Sequence, residues 1–283
     1  MAGLIAKMIQ SAHLAQHKVR RWQSRGRLSP LSADDRMIVD QLSRDGGCST
    51  TLTALGIPDS DRLLEEGDRL MKAMETLPKH AGTKSYVTSA PQDMIIDYPE
   101  IIRWGLDERL LSIAEAYHGM PVAYRGVLAR LDFPDGQVQE TRIWHLDQED
   151  DRIMKIIVDL DEVDENGGPY EFIPASAKPP LHLATGSKLR VADDAALEAA
   201  VPPSKWRAIK GPRGTVAFSD TCTVLHRGRL PTNRVRKTLF YCYNSQWPFR
   251  PSYCMPMFPV ERFIEAGGNL SERQRAAIRF QYM

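Results

Sequence analysis

The stretch Thr141-Arg-Ile-Trp-His-Leu-Asp-Gln148 decides how the rest of the chain is read. With the β-branched and aromatic side chains Thr141, Ile143 and Trp144, it reads as a β-strand. Side chains on a strand repeat every two residues, so His145 and Asp147 leave the same face side by side. Alone, such a pair is an ordinary surface contact. A second, distant histidine would turn it into a two-imidazole, one-carboxylate set, which covers one face of an octahedral metal ion and leaves the other positions open.

Outward from this stretch, the sequence divides into two halves. After Pro121 it breaks into short β-branched or aromatic runs: Val122–Phe133, Arg142–Leu146, Ile153–Leu160, Tyr170–Ile173, Thr215–Phe218, Thr223–His226 and Val235–Tyr243. Turns such as Pro134-Asp-Gly136 and Glu165-Asn-Gly-Gly-Pro169 separate them. Many short strands with regular turns predict a barrel or jelly roll whose interior can hold a ligand. Residues 175–212, Pro-rich with a helical patch at Ala195–Ala200, read as an insertion, and residues 248–283 read as a C-terminal extension. Residues 1–119 read as mainly helical. Ser32-Ala-Asp-Asp35 caps a helix to about Arg44 that Gly46-Gly47 stops; Cys48 to Leu55 reads as a short strand; Asp59-Ser60-Asp61 caps a second helix; and Ile101 to Gly119 keeps helical spacing throughout. The fold class expected is α+β, one domain over 1–283, with the β core at 120–247.

Composition limits the partners. Lys plus Arg is 37 against 36 for Asp plus Glu, so no basic excess points to nucleic acid. The charge is concentrated at the start: residues 1–33 hold Lys7, Lys18, Arg20, Arg21, Arg25 and Arg27 with no acidic residue, beside Leu4, Ile5, Met8 and Ile9 at helical spacing. A basic amphipathic helix within 1–28 could lie on an acidic membrane surface or cover its own domain. No apolar run approaches the roughly 20 residues that cross a bilayer, and no cleavage site follows the N-terminal apolar segment, so a cytoplasmic protein is expected. Cys48, Cys222, Cys242 and Cys254 show no C-x-x-C spacing, which fits free thiols in a reducing compartment.

The histidine that would complete the set is His226, in Val224-Leu-His-Arg-Gly228, where an apolar run meets a glycine turn; His182, in the insertion, is the rival, and strand position favours His226. Ten residues on, Arg236 and Thr238 share one face of the run Val235–Tyr243, a guanidinium fork beside a hydroxyl that suits one end of a dicarboxylate.

His145-x-Asp147, His226 and Arg236, in this order on a β-rich half, resemble the phytanoyl-CoA dioxygenase family of Fe(II)/2-oxoglutarate oxygenases. Leu160-Asp161-Glu162 with Asn166-Gly-Gly-Pro-Tyr-Glu-Phe-Ile-Pro174-Ala-Ser176 is similar to the family's run from a core strand into an Ile-Pro-Gly-Ser turn. Gly214-Thr-Val-Ala-Phe-Ser-Asp220 is similar to the strand that delivers the distal histidine. The likeness covers roughly residues 30 to 245. It implies a double-stranded β-helix with His145, Asp147 and His226 on Fe(II), and 2-oxoglutarate chelating the metal while its far carboxylate meets Arg236, helped by Thr238. O₂ would then oxidise a C–H of a small-molecule substrate with release of succinate and CO₂. Three positions depart from the family pattern. Ala175 stands for the glycine of the turn, Leu131-Asp-Phe-Pro134 lacks a lysine, and Arg142 occupies a place where members often carry a neutral polar residue, so Arg142 is expected to contact 2-oxoglutarate or an acidic substrate.

Other residues stay open at this level. Asp147 fills the position that a halide would need, which disfavours chlorination. Trp144 reads as core or pocket wall, Lys155 as a solvated strand residue or a pocket cation, Arg227, Arg229 and Arg234 as exposed, and Asp150 and Asp151 as loop residues near the substrate. The competing function is a cupin-like metal-binding barrel without O₂ chemistry, which would need no dicarboxylate anchor at Arg236.

Overall fold

The computed structural model describes residues 15–24, 26, 28–78, 85–186, 189–191 and 193–279. A six-stranded antiparallel sheet runs in the order β1 (Gly47–Thr51), β9 (Thr215–Ser219), β4 (Met154–Asp159), β11 (Arg236–Ser245), β3 (Val122–Asp132), β2 (Val87–Ser89). A smaller sheet pairs β10 (His226–Gly228), β5 (Tyr170–Phe172) and β8 (Arg207–Ile209), and β6 (Ala184–Thr185) pairs with β7 (Arg190–Val191).

Strand alternation explains why a cavity forms between the sheets. On the large sheet Met154, Ile156, Val158, Val216, Phe218, Leu239, Tyr241 and Tyr243 turn outward into the main apolar core. They pack there with α2 (Ala33–Asp45), α3 (Leu52–Leu55), α4 (Ser60–Met74), α5 (Gln92–Ile95), α6 (Pro99–Gly105), α7 (Glu108–His118), α9 (Val260–Gly267) and α10 (Glu272–Ile278). The intervening residues turn inward, where Ile157 and Ala217 meet Tyr170, Phe172 and Ile209 of the small sheet. Period two therefore gives one dry face for the helices and one mixed face for a site. In β3 the register shifts opposite Cys242 and Tyr243, and Arg125 is the extra residue of this bulge. Gly126 takes φ +128° there, and a Cβ would strike Phe258 at 2.3 Å. Below the bulge Val127, Ala129 and Leu131 face the core, leaving Leu128, Arg130 and Asp132 to the cavity.

The helix ends follow local chemistry. Ser32 accepts from Asp35 N at the start of α2, and Gly46 at φ +74° ends it. Asp59, by contrast, makes no side-chain cap on α4. The helical run 101–119 is two helices, because Asp107 accepts from Arg109 N and restarts the chain at α7. The mainly helical first region also supplies both edge strands of the large sheet, β1 and β2. The expected insertion contains α8 (Asp194–Ala200) at its patch, yet it closes with β8, which belongs to the small sheet rather than lying over it.

Two strand assignments change. Residues 142–146 are not a regular strand: Glu140–Arg142 forms a 3₁₀ turn and only His145 bridges to a neighbour. His226 begins β10 instead of ending a strand, because Asp220 O accepts from Thr223 N and Val224 N in a tight turn. Near the N-terminus, α1 (residues 15–24) rests on its own domain, with Arg20 over the Trp247 ring at 4.8 Å and the His17 ring 4.5 Å from Phe249. Residues 1–14, 25 and 27 of the expected basic helix lie outside the described residues. No helix among the described residues is long and apolar enough to cross a membrane.

Candidate metal centre and its cavity

His145 and His226 are a hydrogen-bonded antiparallel pair: His145 N donates to His226 O at 3.0 Å and His226 N to His145 O at 3.1 Å. The backbone itself therefore sets their imidazoles side by side, ring centres 4.2 Å apart. His145 Nδ1 lies 2.7 Å from the Ile143 carbonyl and His226 Nδ1 3.1 Å from the Val224 carbonyl. A carbonyl only accepts, so each Nδ1 carries the proton and each Nε2 presents its lone pair. Asp147 N donates to Thr221 O, which fixes the chain two residues beyond His145. The Asp147 carboxylate sits 3.7 Å from both Nε2 atoms, Oδ1 toward His145 and Oδ2 toward His226. One donor atom from each of the three residues falls within 4.8 Å of the others, the one such cluster among the described residues.

The protonation states leave three donors available to a metal ion. Burial pushes the His226 imidazole down to about 3, with His145 adding to the effect, and burial lowers His145 as well. Both rings are neutral at physiological pH. Burial alone would raise Asp147, but Lys155 and the two imidazoles outweigh it and hold the carboxyl below the usual range. The donor set of two imidazole nitrogens and one carboxylate oxygen suits Fe(II) and its neighbours in the first transition row. Cys242 also lines the cavity, yet burial raises its thiol, which keeps it protonated and out of the set.

The cavity encloses about 270 Å³ between the two sheets. His145, Asp147 and His226 line it together with Arg236 and Phe240 from β11 and Ile157 from β4. Arg236 is buried and paired with Asp159 on β4, Nε at 3.1 Å and Nη2 at 2.8 Å from Oδ1. Thr238 shares that face but is fully buried opposite Asp159 and outside the cavity lining, and its hydroxyl has no hydrogen-bond partner. The partner of Arg236 is thus an acid, not the hydroxyl.

Arg142 is a correction. Its guanidinium is 2% exposed as a residue and absent from the cavity wall. It donates to the Phe133 and Gln137 carbonyls, to the Tyr86 carbonyl and to Asp135, and so fastens the loop that leads to His145. His182 sits in an exposed turn away from the cluster. Asp150 accepts from Phe249 N at 2.7 Å and faces the C-terminal extension, and Asp151 is exposed. Trp144 is core, stacked edge-on with Trp206 and covered by Arg227.

Lys155 resolves as a cavity cation, 2.5 Å from Asp147 Oδ2 and 3.0 Å from Glu149 Oε1. Glu149, one residue past the opening stretch, also lines the cavity, and its signal in the sequence is the same two-residue step that links His145 to Asp147, carried once more. Arg125 and Arg130 were also unread, since parity across β3 is broken by a bulge that no local pattern announces.

The sequence matches no family model and no curated protein. Solved structures do match in three dimensions. The epimerase SnoN, in complex with Fe3+, alpha ketoglutarate and nogalamycin RO, superposes with TM-score 0.56 at 18% identity over 76% of this chain and 84% of its own. EctD from S. alaskensis, with 2-oxoglutarate and 5-hydroxyectoine, gives 0.55 at 21% identity over 90% and 89%. HygX from Streptomyces hygroscopicus, with nickel and 2-oxoglutarate bound, gives 0.53 at 13% identity over 76% and 88%. At these identities the likeness establishes the architecture: the chain has the double-stranded β-helix of Fe/2-oxoglutarate-dependent enzymes, the fold implied by the resemblance to the phytanoyl-CoA dioxygenase family.

Proposed function

We propose that this protein is a non-haem Fe(II)- and 2-oxoglutarate-dependent oxygenase acting on a small-molecule metabolite in the cytoplasm. The observation that carries the reading is the convergence of His145 Nε2, His226 Nε2 and the Asp147 carboxylate in a cavity that also contains the Arg236 guanidinium. His145, Asp147 and His226 would hold the metal. Arg236, kept in place by Asp159, would take the distal carboxylate of 2-oxoglutarate on the same inner face. Bound Fe(II) and 2-oxoglutarate supply O₂ activation, in which one oxygen atom enters succinate with loss of CO₂ and the other oxidises a substrate C–H, by hydroxylation in the simplest outcome.

The chain's own part is positioning and exclusion. Nδ1 contacts with the Ile143 and Val224 carbonyls fix both imidazole orientations, and the β-bridge fixes their spacing. Ile157 and Phe240 give the same cavity an apolar wall, which would disfavour water between metal and anchor. An anionic group on the substrate would meet Arg125, Arg130 and Arg229 on the cavity wall, in competition with their acidic partners Glu149, Asp132 and Glu165. A neutral barrel without O₂ chemistry has no use for the Arg236 anchor.

The test is anaerobic loading with Fe(II) and 2-oxoglutarate followed by O₂. Substrate-independent succinate formation, lost in His145→Ala and raised by a true substrate in a screen of small anionic metabolites, is the expected result. Failure to form any succinate with iron bound would overturn the reading.

A further inference from the structure

The polar side chains around Asp147 form a chain of alternating charge: Asp147, Lys155, Glu149, Arg125. Lys155 Nζ is 2.5 Å from Asp147 Oδ2 and 3.0 Å from Glu149 Oε1, and Arg125 Nη1 is 3.8 Å from that same Glu149 oxygen. All four line the cavity. Lys155 stands on β4 directly opposite Cys242 and beside Ser219, so three neighbouring strands confine its stem. An ammonium in this setting is costly to bury unless its protons are used, and two carboxylates use them.

The geometry points to Lys155 as the positioning residue that restricts Asp147 to one-oxygen ligation. Lys155 engages Oδ2 alone, while Oδ1, the oxygen nearer His145 Nε2, has no contact with it. A carboxylate free to rotate can close on a metal with both oxygens and occupy a position that the co-substrate needs. With Oδ2 held by an ammonium, Oδ1 is the oxygen left for the metal, and the remaining coordination sites stay open. Glu149, which also faces Arg125, in turn holds Lys155 from the far side. This inference rests on the metal-centre reading above and deepens it.

A purely electrostatic role for Lys155 makes a different prediction. Removing a cation beside a divalent ion tightens metal binding by Coulomb's law and leaves ligand geometry alone. A positioning role instead changes the geometry. Co(II)-loaded protein reports the difference, because its visible d–d band changes when a strained two-oxygen carboxylate chelate replaces one oxygen and an exchangeable ligand. In Lys155→Met, Co(II) is expected to remain bound in one equivalent, its d–d band to change, and the dissociation constant for 2-oxoglutarate, titrated through that band, to rise by about tenfold or more, the scale of outer-shell effects on metal sites. Lys155→Arg, which keeps a charged donor for Asp147 and Glu149, is expected to restore the wild-type band, and it carries the test if the Met variant does not fold. A wild-type band and an unchanged 2-oxoglutarate dissociation constant in Lys155→Met would overturn the positioning role alone. Wild-type protein that fails to bind one equivalent of Co(II) would overturn both this inference and the metal-centre reading.

Discussion

Arg236 and Asp159 form a buried pair across β11 and β4, the guanidinium presenting Nε and Nη2 to a single carboxylate oxygen at 3.1 and 2.8 Å. Burial lifts the Asp159 carboxyl above its ordinary range, and Arg236 works against that lift. Arg236→Gln therefore does two things at once. It should raise the apparent KM for 2-oxoglutarate about 100-fold or more, at about 1.4 kcal/mol per decade. It should also destabilise the fold by roughly 3–5 kcal/mol, the cost of stranding a buried charge. Adding Asp159→Asn should recover much of the stability in urea unfolding while KM stays high. Arg234→Gln, whose side chain pairs with Asp164 outside the cavity, should change neither quantity. Equal effects at 234 and 236 would place the anchor wrongly.

His226→Ala should abolish stoichiometric Fe(II) or Co(II) binding and leave the circular dichroism spectrum intact, because the β-bridge to His145 uses backbone atoms only. His182→Ala should bind metal normally. Metal titration followed by dialysis and elemental analysis decides between them.

The pH dependence of metal binding follows from the lowered imidazoles. An exposed histidine near 6.5 would lose affinity about tenfold per pH unit below that value. With His226 near 3 and His145 also below its ordinary value, proton competition sets in at lower pH than for an exposed histidine. Co(II) affinity should change by less than about threefold between pH 7.5 and 6.5. The corresponding stability effect has the opposite benefit: these rings resist protonation only in the folded state, so as pH falls below 6.5 the unfolded chain takes up protons that the folded chain does not, and apo-protein stability declines.

Arg142→Met should lower the unfolding free energy by about 3 kcal/mol or more, since four acceptors around a buried guanidinium lose their donor together. The dissociation constant for 2-oxoglutarate in the folded protein should stay within about threefold of wild type, because Arg142 does not reach the cavity. A large rise in that constant with stability unchanged would restore a co-substrate role.

Asp220 tests a different kind of burial. Burial pushes its carboxyl up to about 6, although it accepts from Tyr117 Oη, Ile153 N and Cys222 N. A raised acid binds its proton more tightly in the folded state, so the folded protein gains stability as pH drops through 6 toward the unfolded value and loses that gain above 6. Asp220→Asn should remove this component, leaving a flatter melting-temperature profile between pH 5 and 7 in differential scanning calorimetry.

How far the sequence could be read depends on what each residue's signal was made of. That His145, Asp147, His226 and Arg236 would meet around one cavity was legible from their motif order and the two-residue step, even though residues 142–146 are not a regular strand. Asp159 was not legible as the partner of Arg236: pairing across β4 and β11 is a register between residues far apart, and no local pattern encodes it. Lys155 stayed open between solvent and pocket because only the fold brings it to Asp147 and Glu149. Arg142 misled for the reverse reason, since proximity in sequence to His145 says nothing about which carbonyls a long side chain will reach. The helix break at Asp107 was hidden by apolar spacing that continues in phase through two helices. β1 was legible only in part, since the strand read over Cys48 to Leu55 stops at Thr51 and Leu52–Leu55 is helical, and β2 was missed because a short edge strand needs few apolar residues.

Those two edge strands constrain how the chain is made as well as what it becomes. β1 pairs Gly47 with Ser219, and β2 pairs Val87 with Asp132, so the first-synthesised region must wait for much later segments before either edge is closed. Until β9 leaves the ribosome, the β1 backbone has no native partner, and closing so long a loop is paid in chain entropy before any contact rewards it. Folding of this protein should accordingly be slow and sensitive to the rate of translation, and a fragment cut to the β half alone should present two bare sheet edges and self-associate.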